Sequence, residues 1–165
     1  MGRELTAGRS ERELGAARLD VLEALVSRLI PSDETGPGAA EAQVARYISG
    51  ALDGDYRHHL GSYDSSLGAI DDHAEATLGS PFATLAPEQQ DAILADLEQG
   101  LVSGCSPSSA AFFELVRRHA LEGMFGDPGW GGNAGRIGWD LIGYPGPRYV
   151  WTASEQRIVD RERAG

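Results

Sequence analysis

Apolar side chains recur at intervals of three and four residues in five separate segments, and no segment alternates with a period of two. The clearest case is a run of six apolar or aromatic residues that step by four and three: Tyr56, Leu60, Tyr63, Leu67, Ile70 and Ala74. Such spacing places side chains along one side of a helix and favours helix-to-helix packing. The sequence therefore predicts an all-α fold, a small bundle of about five helices with a long ordered C-terminal loop rich in Gly, Pro and aromatic residues.

Prolines and capping residues indicate where these helices begin and end. The first two helices are predicted over about 11–30 and 39–52. A fourth helix should begin at Pro87, because a proline in the first turn forfeits no helical hydrogen bond. For the fifth helix, Ser106 is the predicted cap and Pro107 the predicted first residue.

Length and charge limit both the organisation of the chain and its partners. With 165 residues, the chain is predicted to form a single helical domain over 11–151, preceded by a flexible N-terminus over 1–10. A tail over 152–165 is expected to add a short helix at most. The net charge of −11 argues against binding to nucleic acid or to an anionic membrane surface. No signal peptide or membrane span is recognisable, so a cytoplasmic location is expected, or a periplasmic one only by export with a partner.

Glycine is concentrated near the end of the predicted bundle. Nine of the 22 glycines lie between Gly123 and Gly146. This density excludes a regular helix and predicts a loop over 124–148. Loops of this length are uncommon in compact domains unless they are functional or disordered. Because aromatic side chains are frequent in it, we expect the loop to be ordered.

The sequence offers no group of residues with recognisable catalytic chemistry. His119 and Glu122 have the i, i+3 spacing of half a carboxylate-bridged diiron site, but no second Glu-x-x-His pair accompanies them. Cys105 is the single cysteine and has no assigned histidine partner. A phosphate-binding loop would need a strand before the glycines and a Gly-Lys-Ser/Thr sequence. We therefore predict no catalytic, cofactor-binding or metal-binding residue in this chain.

Several motifs, taken together, resemble one protein family. The most distinctive are Asp-Pro-x-x-Gly-Gly-Asn at 127–133, Gly-Trp at 138–139 and Gly-Tyr-Pro-Gly-Pro at 143–147. With the segments at 29–33, 36–41, 44–48 and 112–128, they are similar to the gluconate 2-dehydrogenase subunit 3 family over about residues 18–148. Two features depart from that family: Trp130 stands where a tyrosine is common, and no twin-arginine signal is present.

The resemblance implies a helical small subunit that partners a large FAD-dependent dehydrogenase of the glucose–methanol–choline type. The large subunit would hold the FAD and oxidise a sugar, a sugar acid or a glycoside. The small subunit would contribute no catalysis and would bind and stabilise its partner in a heteromer. Two alternatives stay open: a chaperone that leaves the mature flavoprotein, and an independent small-molecule-binding protein.

The residues of the loop are the candidates for contact with such a partner, because tryptophan and tyrosine are enriched among residues that carry binding energy. The predicted interface residues are Phe125, Asp127, Pro128, Trp130, Asn133, Trp139, Tyr144 and Pro145. For Trp130, Trp139 and Tyr144 the competing interpretation is that they cover the core of the bundle itself.

Overall fold

The computed structural model describes residues 13–147, and this part of the chain is all-α, as predicted. It contains six α-helices and no named strand. These are α1 (Ala16–Leu29), α2 (Val44–Asp53), α3 (Leu60–Leu78), α4 (Pro87–Glu98), α5 (Ser109–Phe125) and α6 (Ile137–Leu141). The predictions for the N-terminus (1–10) and the C-terminal tail (152–165) lie outside the described residues.

Helix α5 is the centre of the bundle, since it packs against each of the other five helices. Every helix of the bundle proper, α1 to α5, contributes large side chains that are almost or wholly inaccessible to solvent. These include Leu22 and Leu25, Ile48 and Leu52, Leu67 and Ile70, Leu97, and Phe112 and Met124. The apolar stripes seen in the sequence thus form one shared core.

The predicted face of α3 is buried from Tyr63 to Ala74, while Tyr56 precedes the helix in a short 3-10 turn region. Gly68 is buried, and a Cβ atom there would overlap the guanidinium of Arg18. A side chain at position 68 would therefore displace the end of the Arg18 side chain, which crosses α3 at this point.

Two helix starts differ from their predictions for local reasons. The second helix begins at Val44 because the preceding residues form turns and Gln43 has a left-handed backbone (φ 57°). The fifth begins at Ser109, where Ser108 is the cap that accepts a hydrogen bond from the Ala111 N–H at 3.3 Å. The N–H of Ser106, the predicted cap, instead donates to Ser66 Oγ at 3.1 Å.

The loop predicted over 124–148 begins two residues later than expected, because Met124 and Phe125 still belong to α5, and over 126–147 the segment has more local structure than the sequence indicated. It contains two 3-10 turns, Pro128–Trp130 and Ala134–Arg136, and the short helix α6. Residues Asn133 and Arg136 adopt left-handed backbone conformations at the joints between these pieces. The segment therefore reverses direction in short steps and stays beside the end of α5.

Candidate partner-binding site

Asn133 fixes the segment after α5 to the C-terminal end of that helix. Its side chain is fully buried; Nδ2 donates to the carbonyl of Gly126 at 2.8 Å and Oδ1 accepts from the N–H of Gly138 at 2.8 Å. Its backbone N–H donates to the carbonyl of Gly123 at 2.7 Å. One residue thus joins the helix end, the turn that follows it and α6.

Two glycines allow this segment to lie directly on α5. A Cβ atom at Gly132 would overlap the carbonyl oxygen of Gly123, and one at Gly138 would overlap that of Met124. Both overlaps are with backbone, which cannot move aside as a flexible side chain can. At these two positions glycine is required for close packing of backbone against backbone.

Trp139 belongs to the interior of the same segment. Its side chain is 8% exposed, and Nε1 donates to the carbonyl of Phe125 at 2.7 Å. Tyr144 packs edge-on against it with ring centroids 5.0 Å apart, and the Arg136 guanidinium lies 5.5 Å from the ring centroid. Arg136 also donates to the carbonyl of Pro145 at 2.9 Å. These contacts hold Tyr144 and Pro145 against α6 and the residue before it.

Trp130 has the opposite environment. Its side chain is 71% exposed, although the turn that carries it is ordered by Asp127, whose Oδ1 accepts from the Gly129 N–H at 2.8 Å. The turn holds the indole in water, where its large apolar surface adds little to the stability of the chain. The position therefore presents a surface that the described residues do not cover.

Grooves lie on both sides of Trp130. The first, which we call the α1/α2 groove, has a volume of about 640 Å³. Its lining consists of residues from α1, α2 and the Trp130 turn: Leu19, Glu23, Ala45, Arg46, Ser49, Gly50, Asp53, Gly129, Trp130 and Gly131. The second, the tyrosine groove, has a volume of about 420 Å³ and is lined by Tyr47, Gly50, Ala51, Gly54, Asp55, Tyr56 and Trp130. We call Trp130 and these two grooves the Trp130 face.

A polar aromatic cluster lies behind the tyrosine groove. The hydroxyls of Tyr47 and Tyr56 both donate to Glu122 Oε2, at 3.3 and 2.9 Å. Tyr56 stacks on His119 with centroids 4.4 Å apart, and the Tyr63 hydroxyl lies 2.9 Å from His119 Nδ1. The two residues considered as half of a metal site are therefore engaged with tyrosines.

Burial controls protonation in this cluster. It lowers the pKa of His119 to about 4, despite the nearby carboxylate of Glu122, which acts in the opposite direction. Burial and the same carboxylate raise the pKa of Tyr47, and the hydrogen bond to Glu122 raises that of Tyr56. Both phenols consequently stay protonated as donors, and His119 is neutral near pH 7.

The predicted interface residues divide into three groups in the structure. Asn133 and Trp139 are buried by the chain itself, and Phe125 and Pro128 are half-buried. The other four are exposed: Asp127, Trp130, Tyr144 and Pro145. For three of the aromatic residues, the alternative was that they cover the core of the bundle. Trp139 is buried, in agreement with that alternative, whereas Trp130 is 71% exposed and Tyr144 is 41% exposed.

The contribution of α2 and of the turn after it to this face was absent from the sequence-based interpretation. Gly50 and Asp55 are about 80 residues from Trp130 in the sequence, and nothing in their local pattern relates them to it. The signal that could have found them is Gly50 itself. It is an exposed glycine inside a helix with open space around it, where an alanine would favour the helix.

Within residues 13–147, no three His, Cys, Asp or Glu side chains are grouped so that they could hold a metal ion. None of the helices in that region has the length and apolar character needed to span a lipid bilayer.

Fold and site together define a small helical domain with an anchored C-terminal segment that presents one exposed tryptophan between two grooves. The family model for gluconate 2-dehydrogenase subunit 3 matches residues 16–146, and the chain belongs to that family. The resemblance in the sequence motifs is thereby confirmed. The family's description denotes a subunit of a gluconate dehydrogenase complex. Comparison with curated proteins gives no match, and comparison with solved structures gives none either.

Proposed function

We propose that this chain is the non-catalytic small subunit of a heteromeric dehydrogenase. It binds and stabilises a large FAD-dependent subunit that oxidises a sugar, a sugar acid or a glycoside. The FAD belongs to the large subunit, and this chain contributes a docking surface. Family membership supports the place of the chain in a dehydrogenase complex.

The observation that carries the proposal is the exposure of Trp130. A tryptophan side chain buries a large area when it is covered, and exposed tryptophans flanked by grooves are typical anchors of protein interfaces. The hydrogen bonds of Asp127 and Asn133 hold the segment in place before any partner arrives. Such preorganisation lowers the entropic cost of association.

Gly50 supports the same face independently. It lies within α2 and lines both grooves, and apart from its own turn of helix no described atom lies within 4 Å of the position that a Cβ atom would take. Its φ is not positive, so the fold of the chain does not require glycine there. A partner backbone that approaches α2 closely would require it.

The direct test is co-expression with a flavoprotein dehydrogenase subunit from the neighbouring gene. Co-expressed chains should co-purify as a stable complex that carries flavin absorbance, while this chain alone should be colourless and inactive on sugars. Flavin absorbance or sugar oxidation by the isolated chain would contradict the proposal. So would the absence of this chain from the mature, active flavoprotein, which would favour a chaperone that dissociates.

Two tryptophan substitutions separate binding from folding. Trp130→Ala should weaken association by about 2 kcal/mol or more, roughly 30-fold in Kd, and should leave the free energy of unfolding nearly unchanged because the side chain is exposed. Trp139→Ala is the matched control, and it should cost about 3–5 kcal/mol of stability through loss of packing and of a buried hydrogen bond. Calorimetric binding and urea denaturation measure the two effects. Unchanged association for Trp130→Ala would exclude it as the anchor.

A further inference from the structure

The tyrosine groove has the composition of a site for a cationic group. Three of its lining residues are aromatic, namely Tyr47, Tyr56 and Trp130, and one is the exposed carboxylate Asp55. Its other lining residues, Gly50, Ala51 and Gly54, are small and leave the rings accessible. Aromatic rings attract cations over their faces, most strongly when the ring is tryptophan.

The carboxylate of Glu122, behind the aromatic rings, has the same negative charge as that of Asp55 at the rim of the groove. Glu122 accepts hydrogen bonds from both phenols and lies on the inner side of the cluster. Arg118 acts electrostatically on Tyr56 and His119, and it is not among the described residues that line the groove. Two carboxylates therefore act on a groove whose described lining contains no basic residue.

These charges select between ligand classes. An anionic sugar acid such as gluconate would be repelled by Asp55 and Glu122, so the groove is unsuited to the substrate of a gluconate dehydrogenase. A guanidinium group is favoured over an ammonium, because its planar, weakly hydrated face stacks on aromatic rings while its N–H groups pair with a carboxylate. The net charge of −11 adds a long-range attraction for a basic partner surface.

We propose that the tyrosine groove is an arginine-binding pocket, in which a guanidinium from the large subunit stacks on Trp130 and pairs with Asp55. The presence of the groove and its charge are properties of this chain alone. The assignment of this arginine to the large subunit rests on the proposed function, in which a large dehydrogenase subunit is the partner.

The pocket is testable in the isolated full-length chain with N-acetyl-arginine amide as the probe. The neutral isostere N-acetyl-citrulline amide is the matched control, because it retains the shape and loses the charge. The readout is the indole N–H resonance of Trp130 in a 15N-labelled sample, assigned by its loss in Trp130→Phe. Arginine amide should shift this resonance in a saturable way that weakens as salt is added. Citrulline amide should bind at least about fivefold more weakly.

Asp55→Asn should reduce the affinity for arginine amide at least about threefold. Asp72→Asn, which makes the same change of net charge at an exposed site on α3, should not alter it. Equal binding of arginine and citrulline amides would overturn the inference, as would a larger shift with glucose, which would indicate a neutral sugar site. No saturable shift with arginine amide would overturn it as well.

The same variants distinguish this inference from the proposed function. Asp55→Asn should weaken association with the large subunit, and Asp72→Asn should not. If Asp55→Asn has no effect while Trp130→Ala does, the arginine pocket is wrong and the docking function stands. If the unmodified chain does not bind the large subunit at all, the proposed function fails, whereas the amide titration still decides the chemistry of the pocket.

Discussion

Among single residues, Asn133 has the largest structural role in the segment after α5. It is the only asparagine in the sequence, and it occupies a left-handed conformation (φ 44°) that asparagine tolerates better than most residues. Its amide accepts a hydrogen bond from the buried N–H of Gly138 and donates one to the carbonyl of Gly126. A single side chain therefore combines a conformational and a hydrogen-bonding function.

Asn133→Ala should lower the free energy of unfolding by about 2–4 kcal/mol, because it leaves a buried N–H without a partner and strains the backbone. Urea denaturation followed by circular dichroism measures the change. Asp127→Ala is the control, since it removes one exposed hydrogen bond in the same segment and should cost less than about 1 kcal/mol. Equal losses for the two variants would show that Asn133 does not anchor the segment.

At the scale of residues, the sequence identified which side chains are important but did not predict whether each of them is exposed or buried. The motif around Trp130 and Trp139 drew attention to both, yet one is exposed and the other is buried. Both have glycine neighbours, so local composition does not separate them. What separates them is the carbonyl of Phe125, which Trp139 reaches across the end of α5, and this contact depends on the path of the folded chain.

At the scale of the helices, periodicity predicted the buried faces well and the ends less well. The start of α4 at Pro87 followed from proline chemistry, and the inner faces of α1 and α3 from apolar spacing. The starts of α2 and α5 did not, because Gln43 and Ser108 set them through turn and cap geometry that several nearby residues could equally have supplied. Helix α6 is only five residues long and has too few apolar positions to show a period.

Helix α2 carries a prediction of its own at Gly50. Gly50→Ala should stabilise the free chain by about 0.5–1 kcal/mol, since glycine disfavours helix interiors and nothing obstructs the added methyl group. The same methyl group should weaken association with the large subunit if the partner packs on α2. Thermal unfolding and calorimetric binding give the two values.

Gly61→Ala is the matched control for Gly50→Ala. Gly61 is exposed near the start of α3, also has open space around it, and lines neither groove of the Trp130 face. It should leave association unchanged. A Gly50→Ala chain that binds its partner as tightly as the unmodified chain would place the contact elsewhere.

At the scale of the whole molecule, the buried tyrosine–histidine cluster makes the stability of the fold depend on pH. It joins α2, α3 and α5 through Tyr47, Tyr63, His119 and Glu122. The pKa of His119 is about 4 in the folded chain against an ordinary value of 6.5. Between these values the unfolded chain binds more protons than the folded one, so stability is complete above about pH 6.5 and falls as the pH falls towards 4.

Acidification from pH 7 to about 4.5 should therefore cost about 2–3 kcal/mol through His119. His119→Asn should be less stable at pH 7, because it loses the stack on Tyr56, but it should lose less stability over this pH range. Urea denaturation of both chains at several pH values measures the difference between their slopes. Parallel pH profiles would show that another group accounts for the acid sensitivity.

The whole-molecule interpretation from sequence reached the fold class and the family, since both depend on patterns spread over most of the chain. The family match over residues 16–146 includes all six described helices, from Ala16 to Leu141. The Trp130 face was out of reach because it combines α1, α2 and the segment after α5. Their proximity is set by how helices pack around α5, which single-sequence periodicity does not encode.

In a chain whose third tryptophan is removed by Trp151→Phe, the contrast between Trp130 and Trp139 gives two optical signals. The exposed indole of Trp130 should emit at longer wavelength and be accessible to quenchers such as iodide, whereas the enclosed indole of Trp139 should emit at shorter wavelength and be shielded. Covering the Trp130 face changes the first signal, and unfolding changes the second. Emission from one chain thus distinguishes docking from loss of structure without any attached dye.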